Sequence, residues 1–254
     1  MWDCNILLAS FPKCGTTWLK SIVYTIVNRQ RYPIGSEEHP LLTNNPHALV
    51  HYLDIDLYAN NNDVPDLSSM HAPRLFATHA PALSLSDEVM NNNSGCKIIY
   101  VWRNPKDCFV SLWHFVNKMR PEEAITLSLD KYFDSFCSGV NNYGPFWDHV
   151  LEHWKVSLAM PEKVMFLSYE QIIEQPDHYV KKIAEFIGCP FSGRFTNLSQ
   201  LEANKNGKTK HHIGHDTFFR RGVVGDSKNL LNSEMINKID RIAEDKFSPY
   251  GLKI

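Results

Sequence analysis

The sequence lacks the features that would direct a chain into or across a membrane. Its first apolar stretch, from Ile6 to Ala9, is too short for a signal peptide, and no basic residue precedes it. No apolar run approaches the ~20 residues that a membrane-spanning helix requires. The six cysteines include no Cys-x-x-Cys pair, and a chain of 254 residues does not need disulfide bonds to fold. We therefore predict free thiols in a cytoplasmic protein that has no membrane partner.

The chain also has no excess of positive charge. Its 26 Lys and Arg residues face 28 Asp and Glu residues, and the basic residues are scattered. A nucleic-acid-binding protein concentrates Lys and Arg on one face to neutralise phosphates, so we predict no nucleic-acid partner. Any anion-binding site must then be formed by a few neighbouring residues and not by a basic surface. The length and the 43% hydrophobic content suit a single domain over residues 1–254.

Short apolar segments alternate with amphipathic segments along the chain. Residues 31–73 and 190–229 have little periodicity and are predicted to be irregular. Strands separated by helices predict an α/β fold, a three-layer αβα arrangement whose central parallel sheet is covered on both faces. The predicted strands are 5–11, 75–79, 97–102 and 163–169, and the predicted helices are 18–29, 105–118, 128–138, 145–158, 177–187 and 233–247.

The turn after the first strand has the composition of an anion-binding loop. It reads FPKCGTTW from Phe11 to Trp18 and leads into a helix, whose N-terminal N–H groups and dipole favour an anion. Gly15 permits a close approach, and Lys13 adds a full charge. The loop is not a Walker A motif, because its Lys precedes the Gly and no Gly-Lys-Ser/Thr follows. Taken alone, it could also be an ordinary turn with a surface lysine.

Two later segments carry arginines that a parallel sheet could bring to the same crevice. Arg103 ends a predicted strand, and Ser111 lies two turns into the following helix. Ligands bind beyond the carboxyl ends of parallel strands, and an Arg fork suits a phosphate. Arg220 and Arg221 precede Gly222 in FFRRGVVGD, a loop able to enclose a second phosphate. Taken separately, Arg103 could pair with a carboxylate, and the second loop could be a solvated basic turn.

Together these segments resemble the cytosolic sulfotransferase family, most closely its plant branch. The resemblance covers essentially the whole chain and includes HPLLTNNPH (39–47), FVSLWHF (109–115), YGPFWDH (143–149) and AEFIG (184–188). It implies a P-loop-NTPase-like sulfotransferase fold. It also implies transfer of a sulfuryl group from 3′-phosphoadenosine 5′-phosphosulfate (PAPS) to a hydroxyl of a small organic acceptor, such as a flavonoid, a jasmonate or a steroid. A monomer or weak homodimer without a metal is expected.

The resemblance also implies roles for individual residues. Residues 13–18 match the loop that holds the 5′-phosphosulfate, and their Trp would stack on the adenine. Arg103 and Ser111, with residues 220–222, match the residues that bind the 3′-phosphate, and two aromatic residues match nucleotide contacts. The implied cofactor-binding set is Lys13, Cys14, Gly15, Thr16, Thr17, Trp18, Arg103, Ser111, Tyr169, Phe195, Arg220, Arg221 and Gly222.

Three residues match the family's catalytic positions. His79, within Thr-His-Ala-Pro, matches the base that takes the proton of the acceptor hydroxyl. General-base catalysis of this kind increases the rate roughly a hundred- to ten-thousand-fold. Lys13 would neutralise charge on the departing phosphate, and Ser111 could hold Lys13 away until the acceptor binds. A metal site is the alternative use of histidine here. We do not predict one, because neither His149 and His153 nor the group at 211, 212 and 215 brings a convincing set of ligands.

Four features depart from the family pattern. The chain opens almost at the first strand, where members usually carry a longer N-terminal segment, and it lacks an acidic helical segment before Phe195. Ser227 stands where the family has Trp, and Cys14 stands where Ser is common. A thiol at a helix N-terminus can have a lowered pKa and be oxidisable, which we state for Cys14 as a hypothesis. The first two departures leave open a shortened relative that binds the nucleotide with little activity, whereas the missing Gly-Lys-Ser/Thr loop disfavours a nucleotide kinase.

Overall fold

The secondary structure follows the alternation of apolar and amphipathic segments. A computed structural model describes residues 5–33, 36–58, 67, 72–91, 94–121, 123–191 and 222–254. The strands are β1 (Asn5–Ala9), β2 (His51–Tyr52), β3 (Arg74–Thr78), β4 (Lys97–Trp102) and β5 (Val164–Ser168). The helices are α1 (Thr16–Asn28), α2 (Pro46–Leu49), α3 (Asp87–Met90), α4 (Pro105–Met119), α5 (Leu129–Cys137), α6 (Phe146–Ala159), α7 (Tyr169–Glu174), α8 (Pro176–Phe186) and α9 (Ser233–Phe247). Five residues, Leu53–Leu57, form a π-helical turn.

The strands form one five-stranded sheet in the order β2-β3-β1-β4-β5, and every pair is parallel. Strand β1 is central, with Ala9 opposite both Thr78 of β3 and Tyr100 of β4. Because all strands run the same way, their carboxyl ends lie along one edge of the sheet. Residues that directly follow these strands are therefore neighbours in space although they are far apart in sequence.

Both faces of the sheet are covered by helices. Successive residues of β1 alternate between two cores: Leu7 packs with α4, α5, α6 and α9, whereas Ile6 and Leu8 pack with α1, α7 and α8. Strand β4 alternates in the same way, with Tyr100 in the first core and Ile99 in the second. The period of two in the side chains of a strand produces this division. The predicted three-layer αβα architecture with a central parallel sheet is confirmed.

Four of these strands and helices were missed in the sequence. Strand β2 has two residues and helix α2 has four, and both lie inside the segment predicted to be irregular. Helix α3 has four residues, and α7 is a six-residue helix between β5 and α8. Elements this short do not complete a recognisable period, so tertiary contacts decide them. The first strand ends at Ala9, two residues earlier than predicted. Within the described ranges, no helix has both the length and the apolar character needed to cross a membrane.

Candidate active site

The loop between β1 and α1 has an unusual backbone. Lys13 has a φ of 68° and Gly15 a φ of 104°, both in the left-handed region. Gly15 also lies against Tyr169, since a Cβ at this position would be 2.6 Å from the Tyr169 Cδ2. Among the residues that the structure describes, no side chain caps the N-terminus of α1. The first N–H groups of the helix are thus available to an anion.

Arg103 joins this loop to the segment after residue 222. It is 7% exposed, directly follows β4, and its Nη2 donates a 3.0 Å hydrogen bond to the Val223 carbonyl. Its Nη1 donates to the Lys13 carbonyl at 3.5 Å, and its guanidinium carbon lies 4.6 Å from the centre of the Tyr169 ring. The Nε is buried and has no hydrogen-bond partner among the described residues. Arg103 therefore brings the predicted loops together and keeps one donor for a ligand.

Asp107 shapes the segment that follows Gly222. One turn into α4, its carboxylate accepts hydrogen bonds from the Gly225 N–H at 2.6 Å and the Ser227 N–H at 2.9 Å. The carboxylate also lies 3.9 Å from Arg103, the alternative partner that the sequence allowed for this arginine. Gly222 has a φ of 65°. Phe195, Arg220 and Arg221 lie outside the described residues, so their predicted roles stay predictions.

Lys13 leans towards α4. Its ammonium nitrogen lies 4.2 Å from the centre of the Phe115 ring, one helical turn beyond the buried Ser111. Trp18 is half-buried and packs at the border of the core that contains Tyr169. Of the predicted site residues, those of the first loop thus lie close to Arg103, Tyr169 and α4.

His79 directly follows β3 and is 8% exposed. Its Nδ1 lies 2.7 Å from the Ser10 carbonyl oxygen, and because a carbonyl only accepts, Nδ1 must carry the hydrogen. The Nε2 is therefore the basic nitrogen of the neutral ring. Burial lowers the pKa of His79 from 6.5 to about 3, and nearby Lys20 acts in the same direction. The imidazole is neutral at physiological pH.

The contacts that surround His79 were not predicted from the sequence. The Tyr52 and Tyr143 rings lie 4.8 Å and 5.2 Å from the His79 ring, and Asp54 accepts a hydrogen bond from the His79 N–H at 3.3 Å. The His149 Nε2 donates to the His79 carbonyl oxygen at 2.9 Å. Tyr52 and Asp54 come from the segment predicted to be irregular, where no periodic pattern shows which side chains turn inward.

The lowered pKa hypothesised for Cys14 is contradicted by its surroundings. The side chain is fully buried, with its Sγ 3.6 Å from the Cys108 Sγ, and burial raises its pKa well above the ordinary value. The helix N-terminus was expected to lower the pKa, but loss of solvation has the larger effect. Cys14 is therefore a protonated thiol in the core.

His149 and His153 belong to a buried aromatic cluster. The Tyr100 hydroxyl lies 2.8 Å from the His149 Nδ1, and the His153 ring stacks on Tyr100 at 3.9 Å between centres. Burial lowers the pKa of His149 to about 4 and that of His153 to about 3. In the part of the chain that the structure describes, no cluster of three or more His, Cys, Asp or Glu side chains could hold a metal. The histidines at 211, 212 and 215 lie outside it.

Comparison with known proteins shows which family this chain resembles. Residues 3–251 match the sulfotransferase domain family. Cytosolic sulfotransferase 5 of Arabidopsis thaliana is 45% identical over 267 residues, covering 99% of this chain and 82% of that protein. The structure of an Arabidopsis thaliana protein provisionally described as a steroid sulphotransferase has a TM-score of 0.72 at 37% identity, covering 98% of this chain and 78% of that one. A mouse sulfotransferase complexed with PAP shares the fold, with a TM-score of 0.71 at 24% identity, covering 97% and 85% of the two chains.

The parallel sheet, the loop at β1 and the sequence match define a sulfotransferase domain. The chain belongs to the plant-type cytosolic sulfotransferase family. It is a PAPS-dependent sulfotransferase with the P-loop-like fold of that family, as its sequence predicts. The cytoplasmic location expected from the sequence agrees with the names of these relatives.

Proposed function

We propose that the protein transfers the sulfuryl group of PAPS to a hydroxyl of a small aromatic or steroidal acceptor, with His79 as the general base. One observation carries the proposal. The Ser10 carbonyl holds the Nδ1 hydrogen of His79, so that Nε2 is the basic nitrogen, and Ser10 lies at the start of the loop that would hold the phosphosulfate. The base and the leaving group would then be fixed to the same short stretch of chain.

The residues of the two loops fit a doubly phosphorylated nucleotide. Around the first loop, the uncapped N-terminus of α1 and the positive charge of Lys13 suit the 5′-phosphosulfate. Around the second, the Nε of buried Arg103, which has no hydrogen-bond partner in the described part of the chain, suits the 3′-phosphate, together with the Ser111 hydroxyl on α4. When bound, PAPS supplies the activated sulfuryl group.

The remaining chemistry is proton transfer and charge stabilisation. The Nε2 of neutral His79 would accept the proton of the acceptor hydroxyl as the new S–O bond forms. Lys13 would stabilise negative charge on the leaving phosphate, as cations do in the related phosphoryl transfers. Its present contact with Phe115, one turn from Ser111, supports the proposal that α4 holds this lysine between turnovers.

Aromatic rings beside His79 favour a planar or otherwise apolar acceptor. Tyr52 and Tyr143 both contact the His79 ring. Large rings around a buried base exclude water, which limits transfer of the sulfuryl group to water. Burial and Asp54, whose carboxylate accepts a hydrogen bond from the Tyr143 hydroxyl, raise the pKa of that hydroxyl, so it stays protonated at neutral pH.

The test compares His79→Asn with the natural chain in a screen of phenolic and steroidal alcohols with labelled PAPS. Asn keeps a donor near the place of Nδ1 for the Ser10 carbonyl but has no basic nitrogen. We expect kcat to fall roughly a hundred- to ten-thousand-fold while the affinity for 3′-phosphoadenosine 5′-phosphate (PAP) is kept. Undiminished turnover in His79→Asn would refute the role of His79.

Binding assays distinguish the proposed function from the two alternative functions. Binding of PAP without turnover of any acceptor by the natural chain would favour the shortened relative of low activity. Thermal stabilisation by ATP but not by PAP would favour a nucleotide kinase. Stabilisation by PAP together with turnover is the result expected here.

A further inference from the structure

A lysine is fully buried in α1, the helix that follows the central strand. Lys20 is 0% exposed, and its Nζ lies 3.0 Å from the Nδ1 of His47 in α2. The same Nζ lies 3.3 Å from the centre of the Tyr52 ring, the geometry of a cation–π contact. A buried cation is costly unless it is paired, so a lysine at this position needs a reason.

The contacts continue from His47 to the nucleotide loop. The Nε2 of His47 lies 3.1 Å from the Oγ1 of Thr17, which lies at the start of α1. We call Lys20, His47 and Thr17 the polar chain. It joins the inside of α1 to a hydroxyl that belongs to the proposed phosphosulfate loop.

The polar chain has one direction when Lys20 is its donor. The His47 Nδ1 then accepts from the Lys20 Nζ, and the imidazole hydrogen lies on Nε2. The Nε2 then donates to the Thr17 oxygen, which leaves the hydroxyl hydrogen of Thr17 free to donate elsewhere. A hydroxyl held in this way is a directed donor for an anionic oxygen at the end of α1.

Tyr52 connects the polar chain to the base. Its ring stacks on His47 at 5.5 Å, covers the Lys20 ammonium and contacts His79 at 4.8 Å. Burial lowers the pKa of Lys20 well below its usual range, and the opposing effect of Asp56 and Asp54 is smaller. The lysine thus stands between the two halves of the proposed reaction centre without reaching the reacting atoms.

We propose that Lys20 and His47 are positioning residues that make the Thr17 hydroxyl an obligate hydrogen-bond donor to the 5′-phosphosulfate and brace Tyr52 against His79. The inference rests on the proposed function, because it takes the loop after β1 as the phosphosulfate site. The alternative is a purely structural lysine that only neutralises Asp54 and Asp56. That alternative predicts a loss of stability without a change in nucleotide binding.

The experiment measures PAP affinity by calorimetry, and kcat and KM for PAPS and for an acceptor, in the full chain. Lys20→Met keeps the apolar stem without the donor, and His47→Leu removes the ring nitrogens at a half-buried position. We expect both to weaken PAP binding and lower kcat/KM for PAPS roughly 10- to 100-fold, the usual effect of losing a hydrogen bond to a charged group. The KM of the acceptor should change less than about 3-fold.

His47→Gln is the conservative variant, because its amide N–H can occupy the place of Nε2, and it should restore most of the PAP affinity. Thr25→Val is the matched structural control. Thr25 is equally buried in α1, but its hydroxyl bonds only the Ser21 carbonyl of its own helix. This variant should lower the melting temperature without changing PAP affinity.

A double-mutant cycle tests whether Lys20 acts through Thr17. In a Thr17→Val background, Lys20→Met should add little further loss of PAP affinity, because the donor that it orients is already gone. Losses of PAP affinity that add up in the double variant would overturn the inference. Provided that the natural chain is active, an unchanged PAP affinity in Lys20→Met or His47→Leu would also overturn it. If the natural chain itself neither bound PAP nor turned over, the proposed function would fail first and this inference with it.

Discussion

Mild acid should strongly destabilise this protein, because three neighbouring histidines are buried in their neutral form. Burial is the main cause that lowers the pKa from 6.5 to about 3 in His79, about 4 in His149 and about 3 in His153. In the unfolded chain these groups bind protons near pH 6.5, while in the folded protein they do not. Stability that is present above pH 6.5 is therefore lost as the pH falls towards the folded pKa values.

The size of the effect follows from these pKa values. Between pH 7 and pH 5, each histidine costs the folded state about 2 kcal/mol, and the three together about 6 kcal/mol. A domain is typically stable by only about 5–15 kcal/mol, so this loss is a large share of the total. Few carboxyl groups titrate in this range, which makes histidine the main contributor.

Urea unfolding followed by circular dichroism at pH 7, 6 and 5 measures the loss directly. His153→Phe replaces one buried imidazole by a ring that cannot be protonated, so the loss between pH 7 and 5 should shrink by about 2 kcal/mol. His178→Gln is the control, because His178 is exposed on α8. A free energy of unfolding that is the same at pH 7 and pH 5, or an equal effect of both substitutions, would refute the reasoning.

Three further predictions concern the loops. Gly15→Ala should abolish most PAP binding and lower the melting temperature. The reason is that the added Cβ would lie 2.6 Å from the Tyr169 ring, at a backbone φ of 104°. A normal PAP affinity measured by calorimetry would contradict this prediction. Asp107→Ala removes two hydrogen bonds to backbone N–H groups and should cost about 3–5 kcal/mol in urea unfolding. A loss below about 1 kcal/mol would mean that this carboxylate does not hold the loop. Cys14→Ser should leave the response of the activity to mild peroxide unchanged, because the thiol is protonated; protection by Ser would restore the reactive-thiol hypothesis.

The sequence was informative where local chemistry decides the structure. Strand β4 and helix α9 have the predicted bounds. Helix α4 begins as predicted, with Asn104 accepting a hydrogen bond from the Lys106 N–H and Pro105 in the first turn. The convergence of the first loop and Arg103 could also be predicted, since it follows from parallel strands alone.

Contacts between distant segments were not predictable in the same way. The Lys20–His47 contact spans 27 residues, and the His79–Ser10 contact spans 69. Nothing in the irregular segment shows that His47 and Tyr52 turn towards α1, because no period orders their side chains. The pKa of Cys14 was predicted wrongly for a related reason, since burial is a property of the whole fold and the position in a loop does not reveal it.

The end of β1 explains why the base and the phosphosulfate loop could act as one unit. The Ser10 carbonyl holds the His79 ring, and the Ser10 hydroxyl is hydrogen-bonded with Thr16 at the start of α1. Both anchors belong to one residue, which directly follows the central strand. In-line transfer needs the acceptor oxygen and the sulfur at a fixed separation, and a misplacement of about 1 Å can cost a hundredfold in rate. A rigid strand end shared by the proposed base and the proposed loop is a physical means of keeping that separation constant.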